Sequence, residues 1–72
     1  MGTSYEFFLL RADEAANEAA GAALDNVRDR ALRSEAAWRG MADRALQIER
    51  EREVARLHRE ERIAAEEAAR AD

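Results

Sequence analysis

His58 is the one imidazole in the chain, and Glu61 follows it at the i+3 spacing that sets two side chains on one face of a helix. An imidazole beside a carboxylate can relay a proton or begin a metal site. Either use needs partners that are absent here. Carboxylate-bridged di-iron bundles place glutamate three residues before histidine, and Ala55 stands in that position. Serine-histidine-aspartate chemistry needs a histidine held by a packed scaffold, whereas His58 lies in a run of arginine and glutamate. The pairs Asp13–Glu14, Glu60–Glu61 and Glu66–Glu67 are adjacent in sequence. On a helix such neighbours diverge by about 100°, so each pair reads as a solvated face rather than an acid-base couple. Phosphate loops need clustered glycines, and Gly2, Gly21 and Gly40 are far apart. We assign no catalytic, metal-binding or cofactor-binding residue, and expect no cofactor and no enzymatic activity.

Two binding chemistries remain. Trp38 could stack on a base or a flat ligand, but it stands in the middle of an apolar stripe and reads as core. Arg28, Arg30, Arg33, Arg39 and Arg44 are the nearest approach to a basic patch, with Asp25, Asp29, Glu35 and Asp43 interleaved among them. All 12 basic residues are arginine against 16 acids, for a net charge of −4. That balance argues against a nucleic-acid footprint and against an anionic-membrane anchor. No apolar run reaches the length of a bilayer span, and the apolar opening SYEFFLL lacks the flanks of a signal peptide. The expected location is the cytoplasm.

The elements that carry these residues are helices. There is no proline, and Ala, Glu, Arg and Leu dominate. Tyr5, Phe8, Leu9, Ala12, Ala15, Ala16 and Ala19 recur at the spacing of one amphipathic face, predicting a first helix over about residues 4–20 with Ser4 as its N-cap. Gly21 is placed as a left-handed C-cap, residues 21–25 as a turn, and Asp25 as the cap of a second helix beginning at residue 26. Nothing after Asn26 stops that helix; a run of about 44 residues would be roughly 65 Å long. The expected fold is therefore all-α, an antiparallel helical hairpin whose long second helix extends as a single or coiled-coil helix. Residues 1–46 form the hairpin and 47–72 a charged extension.

Folding the helices together pairs Ala16 and Ala19 with Val27 and Ala31, and brings Tyr5, Phe8 and Leu9 to Trp38 and Met41. Tyr5, Phe8, Leu9, Val27, Trp38 and Met41 are the expected hairpin core. Phe7 and Leu10 lie about 160° from that stripe. A second stripe on the long helix runs through Leu32, Ala36, Leu46, Val54, Leu57, Ala64 and Ala68. A chain of 72 residues without cysteine usually needs association to supplement its core. Phe7, Leu10, Leu32, Leu46, Val54 and Leu57 are accordingly the expected protein interface.

The segment from Tyr5 to Leu46 resembles short helical-hairpin proteins common in alphaproteobacteria. Their pattern is an aromatic cluster, here Tyr5 to Phe8, then Arg11 to Ala15, an Asp start at Asp25, Val27–Arg28, and Ala37–Trp38 followed by Met41–Ala42. The resemblance implies a helical hairpin in a bacterial cytoplasm and brings no assigned activity. The expected function is a non-enzymatic interaction or structural protein, either a homo-oligomer or a subunit docked on a larger assembly. The alternatives are an accessory subunit of an enzyme complex or filament, and a small regulator of transcription or translation.

Overall fold

A computed structural model describes residues 3–71. Helix α1 spans Thr3–Gly21 and helix α2 spans Asp25–Arg70. The three residues 22–24 join them. Among the described residues there is no strand, and the chain is an all-α antiparallel hairpin whose second helix continues far beyond the first. The result is a rod of 74 × 15 × 11 Å with a radius of gyration of 20.7 Å.

Alanine decides how the two helices meet. Among the described residues the buried side chains are Ala12, Ala15, Ala19, Ala31 and Ala42, and no large side chain is fully buried. Small residues along a contact line let two backbones approach closely. Two helices alone cannot wall in a larger group from every side, so Tyr5, Phe8, Leu9, Val27 and Trp38 are half-buried along the flanks. Met41, expected in the core, lies at its edge and is exposed.

The helix ends depart from expectation in three places. Ser4 is already inside α1, which begins at Thr3. Gly21 stays in the right-handed helix, and no described glycine has a positive φ; the reversal is made instead by Ala22 and by an extended Leu24 at φ −103° and ψ 137°. Leu24, not Asp25, is the N-cap of α2, and no side chain caps it. The turn is two residues shorter than residues 21–25 implied, one at each end. Asp25 therefore falls on a helical residue, where its carboxylate accepts from Arg28 at 2.7 Å instead of from the first-turn amides. As an acid in the first turn it still complements the helix dipole. Gly40 causes no break, since α2 is continuous across it.

The cover that α1 gives to α2 ends where Ser4 and Phe8 stand beside Ala45 and Ile48. Every residue from Arg50 to Ala71 is exposed.

Candidate interaction surface

An aromatic cluster closes the open end of the hairpin. Phe8 lies 6.0 Å from Trp38 between ring centroids, tilted by 31°. Phe7 meets Trp38 edge-on at 5.9 Å and 89°, and meets Phe8 at 5.9 Å and 61°. Edge-to-face contacts of this kind set the electropositive rim of one ring against the face of another. The guanidinium of Arg11 covers the indole of Trp38 at 5.2 Å, a cation-π contact that keeps the charge at the surface. Phe7 is thus a flank residue that touches the cluster while remaining 50% exposed, rather than a residue of the back of α1. The breadth of the indole explains this, because Trp38 reaches past the line of alanines to the side of α1. Leu10, 57% exposed, does point away.

One ion pair crosses between the helices among the described residues. Arg39 donates its Nε to Glu35 at 2.7 Å and its Nη2 to Asp13 of α1 at 3.3 Å. The hydrogen bond to Glu35, then that to Asp13, holds the guanidinium above its ordinary range. On the free tail Arg56 bridges Glu53 and Glu60, one turn away on either side, with Nη1 at 2.6 Å from Glu60. Hydrogen bonding from Arg56 lowers the Glu53 carboxyl below its ordinary range, and the same contact raises Arg56. These ladders are solvated-helix chemistry, weak for each pair. Among the arginines that came nearest to a basic patch, Arg28 is held by Asp25 and Arg39 by Glu35 and Asp13, which blunts their field.

The described His, Asp and Glu residues form no group of three placed to hold a metal ion. His58 and Glu61 are both exposed on the tail, with no hydrogen bond between them. No described helix is long and apolar enough to cross a membrane.

Apolar surface is the feature that stands out. Leu32, Val54 and Leu57 are exposed on the second stripe of α2, and Leu46 on the same line is half-buried. Ile48, Ile63 and Leu24 are exposed as well and were not singled out by sequence reasoning. Ile48 had a signal that could have found it: it lies two turns beyond Met41, on the flank that α1 stops covering. There Phe8, Met41, Ala45 and Ile48 floor an open notch of about 880 Å³ rimmed by Arg44 and Arg52. The structure therefore divides the apolar residues between two flanks. Phe7, Met41 and Ile48 share one, and Leu32, Leu46, Val54 and Leu57 run along the other.

Comparisons of the chain with protein-family models, with curated proteins and with solved structures returned no match.

Proposed function

We propose that this protein is a small helical interaction module, without catalysis, that works by laying its exposed apolar helix faces against another polypeptide. The carrying observation is that among the described residues no large side chain is fully buried, while Phe7, Leu10, Leu32, Val54 and Leu57 are each more than two-fifths exposed. Apolar patches of that extent on a soluble chain mark interfaces. The partner is another copy of the chain or a larger assembly in the cytoplasm, met by helix-in-groove or coiled-coil recognition. We also take the resemblance to alphaproteobacterial helical hairpins as a working assignment. The notch beside Ile48 favours a second reading, that of an accessory subunit, because a charged rim around an apolar floor suits the end of a foreign helix.

The test compares the wild-type chain with a Phe7→Ser, Leu10→Ser, Leu57→Ser variant. Light scattering reads self-association, and capture on the immobilised chain reads other partners. Loss of mass or of a captured polypeptide in the variant supports the reading. A wild-type chain that is monomeric and retains nothing the variant fails to retain would end it.

A further inference from the structure

Resting on that reading, we infer that the occupant of the second stripe is another copy of this chain, related by a twofold axis across α2 near residue 47. Each tail then lies in the groove between the other copy's α1 and α2.

Length is the first reason. Helix α1 has 19 residues and α2 has 46, and the cover of α1 ends at about Ala45 and Ile48, near the midpoint of α2. The bare half of one α2 therefore matches the hairpin half of another. Laid antiparallel, the two long helices carry one α1 at each end, and every cross-section holds three helices. Three helices enclose a core that two leave open.

Area is the second. A compact monomer of 8.1 kDa is expected to expose about 4,500 Å². This chain exposes 5759 Å². The surplus of about 1,250 Å² exceeds the roughly 800 Å² that each partner contributes to a standard stable interface.

Charge selects the direction. Besides its leucines and valine, the stripe carries Arg39, Asp43, Arg50 and Glu61. In a parallel pair each of these meets its own kind across the seam. About an axis near residue 47, Asp43 faces Arg50 of the other copy, while Arg39 keeps its own partners Glu35 and Asp13. An isologous contact of this sort uses one patch twice, as twofold symmetry requires. Those charges also explain why the stripe needs α1 as a third wall, since an a/d seam interrupted by charge makes a weak two-stranded coil.

The chain has no cysteine, so single spin labels can be placed at Gln47→Cys or Ala69→Cys, both at exposed positions. The full-length labelled chain is expected to show twice the monomer mass. Paired labels at residue 47 should lie within roughly 20 Å, given helix axes about 8–10 Å apart. Paired labels at residue 69 should lie about 65 Å apart, from 1.5 Å of rise per residue. Leu57→Glu should weaken the dimer by about tenfold or more, as loss of a central apolar anchor does. A monomeric wild type overturns the inference while leaving docking on a foreign assembly to the capture comparison. A dimer with labels at residue 69 close together overturns it in favour of a parallel pair. A dimer whose residue-47 labels stand some 30 Å apart overturns it in favour of overlap confined to the tails.

Discussion

Ala12 has no exposed surface and lies on the line where α1 meets α2. A leucine there has no cavity to enter, so Ala12→Leu should push the helices apart and cost about 1–3 kcal/mol. A fall in melting temperature of roughly 4–8 °C per kcal/mol would register it by circular dichroism. Gly40 gives the opposite sign. A Cβ at that position would meet nothing nearer than the Arg44 Nη1 at 3.7 Å, and its backbone is helical. Gly40→Ala should therefore stabilise by about 0.5–1 kcal/mol, through the smaller backbone entropy of the unfolded chain. At this scale the sequence was only partly legible. The stripe of small and aromatic residues named the helix faces correctly. It did not show that alanines would be buried and aromatics left on the flanks, because that depends on how many walls surround a side chain. Caps were the least legible feature: Ser4 and Asp25 are both good capping residues, and a shift of a single residue in each helix start removed both from the role.

The two halves of α2 obey different physics. Its first half is held by α1, and the break near Gly21 and the length of the second helix were readable from composition and periodicity alone. Its second half is exposed at every residue from Arg50 to Ala71, and only ladders such as Glu53–Arg56–Glu60 link its side chains turn by turn. A peptide of residues 47–72 should accordingly be only partly helical by circular dichroism, since most helical stability in proteins comes from packing an apolar face, which the isolated tail lacks. A fully helical peptide would refute this. The ladder also has a pH sign. The Glu53 carboxyl is lowered in the folded state, so its contribution is present above the ordinary carboxylate range and is lost as pH falls through the lowered value. At neutral pH the wild-type peptide should be more helical than a Glu53→Gln peptide, and the difference should vanish in strong acid. Which stripe of such a tail meets a partner was not legible, because Ile48, Val54, Leu57 and Ile63 point in several directions and periodicity alone cannot rank them.

Seen whole, the molecule is a rod about five times as long as it is wide, stiffened near one end by a three-residue reversal and bare along the other. Among the described residues its buried side chains are five alanines. That feature has a calorimetric consequence. The heat-capacity increment on unfolding follows the apolar area newly exposed to water, and typical domains show about 12–15 cal/mol/K per residue. A chain that fully hides only methyl groups, keeps most of its aromatics half-covered and exposes Phe7, Leu10, Leu32 and Leu57 has less such area left to expose. Its increment should fall below that range in dilute solution, its denaturant dependence should be shallow, and its melt should be broad. On the twofold pairing inferred above, raising the protein concentration should bring the increment up and sharpen the transition, and a concentration-independent melt would count against that pairing. Scanning calorimetry across a dilution series would then read the occupancy of the apolar face as heat.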